Sequence, residues 1–175
     1  MPYDKITKYY AGVDWGYEHY GSIVVLGKTP DGVVYLIEEH AQQYKEIDYW
    51  VDIALGIKAR YGDIVFYCDS ARPEHVARFM NEKLKAINAN KSVISGIEQV
   101  AKLMKTNKFF VASDKVSKFK DEVYQYVWNE RSGEPEKHDD DVLDALRYAI
   151  YSEEVMKRQK NNGNQFDTLR AGFGL

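Results

Sequence analysis

The feature that most constrains this chain is a change of hydrophobic period near residue 45. Before it, apolar residues come in short runs separated by turn signals. YYAGVD at 9–14, SIVVLG at 22–27 and VVYLIEE at 33–39 read as three strands. Gly16 and Gly21 break the chain after the first, and Thr29-Pro30-Asp31-Gly32 turns it after the second. Strands joined by such short turns pair as an antiparallel meander. Beyond residue 45, Ile47, Trp50, Val51, Ala54 and Ile57 or Lys58 recur every three or four positions. That spacing predicts an amphipathic helix over 45–61, with Gly62 as its stop. The run Ile64-Val65-Phe66-Tyr67-Cys68-Asp69 is apolar without alternation, as in a strand covered on both faces and paired in parallel. A meander followed by buried strands alternating with helices makes an α/β mixed sheet flanked by helices.

The pattern continues to the end of the chain. Ser70 and Pro73 open a helix over 73–84, and 86–88 reads as a further short strand. Residues 95–105 read as a helix, 107–112 as a strand or hairpin arm, and 114–128 as a helix. Arg131–Lys137 (RSGEPEK) is a loop by composition, and 139–158 is the longest helical stretch. The polar, Gly-rich tail 161–175 is expected to be loosely ordered, so the folded domain is expected to span 1–160.

Composition narrows the function classes. A chain of 175 residues is one domain's worth. Its net charge of −3 excludes a generic basic nucleic-acid coat, so any such contact must come from local basic patches or bound metal. The single cysteine, Cys68, excludes an internal disulfide and fits a reducing compartment. No signal peptide or bilayer-length apolar run is present, so a soluble intracellular protein is expected.

Three carboxylate clusters are the candidates to carry chemistry. Asp14 ends the first strand, where rigid backbone would aim it into a crevice; alone, it reads more simply as a turn aspartate before Gly16. Asp69 ends the buried run at a position where α/β sheets collect their sites, but Asp69 or Ser70 equally serves to cap the helix at Pro73. The third cluster is His138-Asp139-Asp140-Asp141 with Asp144 beyond it. Asp139 and Asp140 suit a solvated helix start, whereas Asp144 falls inside the apolar stretch Val142, Leu143, Ala145, Leu146, Ala149 and Ile150. Asp141 and Asp144, three apart, share a helix face. Convergent carboxylates repel, and a divalent cation removes that cost. Oxygen donors without a Cys/His set point to Mg²⁺ or Mn²⁺ rather than zinc. Two such ions about 4 Å apart clamp the attacking and leaving oxygens of a phosphodiester.

The segments YAGVDWGYEHYGSIVVLG, VFYCDSARPEH and HDDDVLDALRYAIY resemble the nuclease domain of tailed-phage terminase large subunits, in particular the headful-packaging type. The likeness runs from about Lys8 to about Tyr151, and Asp-Ala-Leu-Arg-Tyr is its most specific part. It implies a ribonuclease-H-like fold of the resolvase and integrase superfamily. It also implies a two-metal endonuclease, using Mg²⁺ or Mn²⁺, that cuts concatemeric viral DNA during packaging. The family's first-strand acid falls on Asp14, its second-strand acid on Asp69 and its helix acid on Asp144. Many relatives carry histidine at the position of Asp141, and resolvases of this fold often carry aspartate, so Asp141 either binds metal or only tunes the site. The resemblance further implies double-stranded DNA, an ATPase motor domain in the same full-length subunit, the small terminase subunit and the portal as partners, in the cytoplasm of an infected bacterial host. No GxxxxGK[ST] loop occurs here, so the chain is expected to be the nuclease portion alone.

Among the basic residues, Arg72 lies close after Asp69, and Arg147 stands one turn beyond Asp144, where it can pair with a site carboxylate. Arg78, Lys83, Lys85, Lys102, Lys105 and Lys108 are candidate phosphate contacts or ordinary solvated helix faces. His138 adjoins the acids, while His19, His40 and His75 show no metal spacing. Two other readings fit: a Holliday-junction resolvase or transposase-like nuclease of the same fold, and a non-catalytic module that binds nucleic acid or a protein. Asp69 and Asp144 weigh against the last, because a retired site has no use for convergent acids.

Overall fold

The computed structural model describes residues 3–112, 114–132 and 140–172. Among them, after a 3₁₀ turn at Tyr3–Lys5, come β1 (Lys8–Asp14), β2 (Gly21–Lys28), β3 (Val34–Gln42), α1 (Ile47–Tyr61), β4 (Val65–Cys68) and α2 (Pro73–Asn81). Then follow β5 (Lys85–Asn88), α3 (Val93–Lys105), β6 (Phe109–Val111), α4 (Lys118–Ser132) and α5 (Asp141–Gly172). The six strands form one sheet in the order β5-β4-β1-β2-β3-β6. β1, β2 and β3 are the expected antiparallel meander. β4 joins β1 in parallel, β5 joins β4 in parallel, and β6 adds to β3 in parallel.

Period-two alternation sends neighbouring side chains to opposite faces of this sheet. On one face Ala11, Val13, Ile23, Val25, Phe66 and Cys68 pack under α1 and α2, against Trp50, Val51, Ala54, Ile57, Val76 and Phe79. On the other, Tyr10, Val24, Leu26, Leu36 and Tyr67 pack under α4 and α5, against Phe119, Val142, Ala145, Leu146, Ala149 and Ile150. Helices cover both faces, which is why the central strands read as continuous apolar runs. Pro73, fixed near helical φ, opens α2. At the end of α1, Gly62 takes φ +83° and returns its N–H to the Lys58 carbonyl at 2.9 Å.

Two stretches differ from the sequence reading. The tail from Asn161 is helical, because α5 runs through it to Gly172. Packing on the sheet holds 142–153 in the helix, and extending an existing helix is far easier than starting one. Residues 156–164 are exposed, so the extension adds no core. Of the loop expected at Arg131–Lys137, Arg131 and Ser132 belong to α4. Residues 133–137 and 173–175 lie outside the described residues, as do His138 and Asp139.

Candidate active site

Strand parity brings the acids to one place. In β1, Tyr10 and Gly12 face α5, so Asp14, two residues further on, faces it too. Val13 pairs in register with Cys68, and the Asp69 amide bonds the Val13 carbonyl at 2.9 Å. Tyr67 faces α5, which puts Asp69 on the same side beside Asp14. The indole Nε1 of Trp15 donates to the Asp69 carbonyl at 2.8 Å and ties the two strand ends together. On the other flank Asp14 pairs with Ser22, whose hydroxyl donates to the Asp141 carbonyl at 2.7 Å and anchors the start of α5. Asp144 follows one turn later, next to Ala145, which is pressed on Gly12.

The electrostatics record this convergence. Burial, and then repulsion from Asp144, Asp69, Asp141 and Asp140, push the Asp14 carboxyl up to about 9. Burial raises Asp144 as well, with Asp140 adding to it and Arg147 opposing it. The Tyr148 hydroxyl, one turn beyond Asp144, is raised by burial and then by Asp14, Asp144 and Asp69. Asp14, Asp69 and Asp144 therefore lie near enough at the end of the sheet for their charges to repel one another. As placed, no three His, Cys, Asp or Glu side chains among the described residues stand close enough to hold a metal ion.

The terminase RNaseH-like domain family matches residues 11–153, a span that includes Asp14, Asp69, Asp141 and Asp144. The chain belongs to that family. Solved terminases share its ribonuclease-H-like fold. The large terminase of a thermophilic bacteriophage, solved with ATP-γ-S, superposes with a TM-score of 0.68 at 25% identity over 82% of this chain and 39% of that one. The P22 large terminase nuclease domain gives 0.63 at 19% identity over 89% and 94%. The nuclease domain of the bacteriophage SPP1 large terminase, with bound Mn, gives 0.65 at 17% identity over 85% and 88%. This chain spans 39% of the length of the ATP-γ-S-bound terminase. No curated protein matches it.

In this terminase domain the acids already have cationic neighbours. Arg147 donates from Nη2 to Asp144 Oδ1 at 3.0 Å and from Nη1 to the carbonyls of Lys91 and Ser92 at 3.1 and 3.2 Å. Lys91 Nζ lies 2.7 Å from Asp69 Oδ1, which also accepts from the Ala71 amide at 3.0 Å. The bond from the Ala71 amide is a local turn ahead of α2 and not a cap, since the N-cap of the helix is Arg72 and no side chain caps it, while Asp69 faces Asp14. Arg72 is not brought to the acids. It occupies the N-cap of α2, and its exposed guanidinium pairs with Glu74 at 3.5 Å.

Sequence reasoning missed Lys91 and Glu122. Glu122, on α4 and 2% exposed, reaches the first turn of α5 and accepts from the Val142 and Leu143 amides at 3.2 and 2.8 Å. Glu39 of β3 does the same for α4, accepting from the Lys118 and Phe119 amides at 2.9 and 2.7 Å. The starts of α4 and α5 are therefore each held by a glutamate from another element, and the chain of contacts ends at the residues flanking Asp141 and Asp144. The one local signal was the i,i+4 pair Lys118–Glu122, which marks an ordinary helix face just as well. Glu122→Ala leaves one buried and one half-buried amide unpaired and should cost about 2 kcal/mol. Burial pushes the Glu122 carboxyl from 4.5 to about 7. A raised acid stabilises fully below its unfolded value, and that contribution is lost as pH rises through the folded one. Thermal melts from pH 4.5 to 7 should therefore show a decline in the parent that Glu122→Gln flattens; equal slopes would sink this account.

Proposed function

We propose that this domain is the endonuclease that cuts concatemeric viral DNA during packaging, by phosphodiester hydrolysis at two divalent ions, Mg²⁺ or Mn²⁺. The observation that carries this is the convergence of Asp14, Asp69 and Asp144 at the end of the sheet, in a chain that the terminase RNaseH-like domain family matches over residues 11–153. That donor set suits a hard cation: all oxygen, with a charge repulsion that a cation relieves. The Mn bound to the SPP1 domain supports the same choice of ion here. Asp14, Asp69 and Asp144 would hold the ions, with Asp141 at their edge. Bound there, the ions supply Lewis-acid polarisation of the phosphate and an activated water. Trp15, Ser22, Glu122 and Arg147 hold the acids in place.

The substrate in this reading is double-stranded DNA. The ATP-γ-S held by the longer thermophilic-phage terminase supports an ATPase motor domain elsewhere in the full-length subunit. The small subunit, the portal and the cytoplasm of an infected host complete the proposed setting. With a net charge of −3, contact should rest on phosphates and metal, so cutting should show little sequence preference and weaken as salt rises.

Plasmid cutting and thermal melts with Mn²⁺ test the proposal together. A ligand that binds only the folded state at a hundredfold excess over its Kd adds about 2.7 kcal/mol, or roughly 5–10 °C for a chain of this size. Asp14→Ala should remove both the shift and the cutting. A parent protein that neither shifts nor cuts at millimolar Mn²⁺ refutes the metal site.

A further inference from the structure

Arg147 pairs with Asp144 and Lys91 with Asp69, and the structure holds these two cations differently. The Arg147 side chain is 11% exposed, with both terminal nitrogens engaged, one on Asp144 and the other on two backbone carbonyls. It threads past Gly96, where a Cβ would meet Arg147 Cγ at 2.7 Å. The Lys91 side chain is 38% exposed and touches Asp69 through a single ammonium. Its backbone, by contrast, is fixed. Ala89 N–H donates to the Cys68 carbonyl at 2.8 Å, Asn90 N–H donates to Ser152 Oγ at 2.8 Å, and Arg147 grips the Lys91 and Ser92 carbonyls. Lys91 is thus a flexible four-carbon arm on a rigid base, ending on Asp69. Arg147 is a clamp with no freedom to leave.

From this contrast we propose that Lys91 is an exchangeable counter-ion that competes with the divalent metal for Asp69. The inference rests on the metal-site reading above and adds a residue that the reading does not need. An ammonium 2.7 Å from a ligand oxygen both neutralises Asp69 and repels a dication approaching Asp14 and Asp144. A lysine suits exchange because it is a point charge on rotatable bonds, without the planar two-point grip of arginine. For Asp69 to hold a metal ion the Lys91 ammonium would have to leave it, and the partly exposed arm has the freedom to do so. The competition keeps the acids paired, and the site quiet, until the cation is taken from Asp69.

Calorimetric titration of Mn²⁺ into the parent, Lys91→Gln and Lys91→Arg tests this without reading activity. Lys91→Gln should bind Mn²⁺ on the order of tenfold more tightly, a coupling of ordinary size. Before metal is added it should melt lower, since Asp69 loses its partner. Lys91→Arg keeps the charge and should bind no more tightly than the parent. The exposure of Lys91 means both variants should fold, and the near-ultraviolet circular dichroism of each should match the parent. Unchanged or weaker Mn²⁺ binding by Lys91→Gln overturns the exchange while leaving the metal site standing. No Mn²⁺ binding by the parent overturns the metal site, and the exchange with it.

Discussion

Asp144→Asn should give a folded domain that cuts plasmid DNA at least about a hundredfold more slowly than the parent. Asparagine keeps the shape of the side chain but removes the charge that holds a cation. Metal stabilisation of the transition state is worth several kcal/mol, and each 1.36 kcal/mol is about tenfold in rate. Folding should survive for a separate reason. Burial and Asp140 make an ionised Asp144 unfavourable, and Asp144 in turn is the largest source of repulsion on Asp14. Removing that charge relieves both. The asparagine carbonyl can still accept from Arg147 Nη2, where the carboxylate does so at 3.0 Å. In metal-free buffer the variant should therefore melt no lower than the parent. Asp140→Asn is the matched comparison. Asp140 is exposed just ahead of α5, its carbonyl accepts from the Asp144 amide at 2.7 Å, and asparagine caps a helix about as well as aspartate. That variant should stay active. Initial rates of plasmid relaxation with the two purified proteins set the order. If Asp144→Asn cuts like the parent while Asp140→Asn does not, the helix acid has been assigned to the wrong residue.

The parts of this site that were legible in the sequence were those that local periodicity encodes. Asp14 and Asp69 close apolar runs, and a strand's alternation fixes which face its last residue takes once the sheet is known. Asp144 was visible as a charge inside the stripe Val142, Leu146, Ala149 and Ile150, a place where a carboxylate needs a reason. The hairpin order of β1–β3 followed from the turn at Thr29–Gly32, and the parallel pairing of β4 from its unbroken apolar run. Long-range bonds between side chain and backbone were not legible. Ser22 reaches a carbonyl 119 residues away, and Trp15 one 54 residues away. Glu122 caps a helix 20 residues ahead of it. None of these leaves a periodic trace, because each depends on two elements meeting in space. Nearness in sequence misled in the opposite way for Arg72. It lies three residues after Asp69, yet the start of α2 turns it toward Glu74. Lys91, 22 residues after Asp69, is the cation that arrives.

Gly12→Ala should be the most damaging conservative change in the domain, costing at least about 3 kcal/mol and nearly all activity. Within YYAGVD this glycine looks like a weak point of a strand. In the fold it is where α5 touches the sheet. A Cβ built there would lie 1.9 Å from the Ala145 carbonyl oxygen, 2.9 Å from its carbon and 3.0 Å from Ala149 Cβ. The obstacle is backbone, so no rotamer change relieves it and the helix must lift. Overpacking a core costs about 1–3 kcal/mol when side chains can adjust, and more is expected where a whole helix moves. The loss corresponds to roughly 6–12 °C in melting temperature. Activity should fall further than stability alone accounts for. Gly12 is two residues from Asp14 on the same face, and Ala145 is one residue from Asp144, so the shift that clears the clash separates the two acids. A displacement of about 1 Å at a reacting centre costs on the order of a hundredfold. Gly56→Ala on α1 is the contrast, since a Cβ there meets only the end of the Arg60 side chain, at 3.3 Å. Alanine is a better helix residue than glycine by about 0.5–1 kcal/mol, so that variant should melt at or above the parent and cut normally. Parallel melts and cleavage rates of the two variants decide the matter. A Gly12→Ala protein that melts within a degree or two of the parent would mean that α5 does not rest on β1 this closely, and that the separation of Asp14 and Asp144 is set by something else.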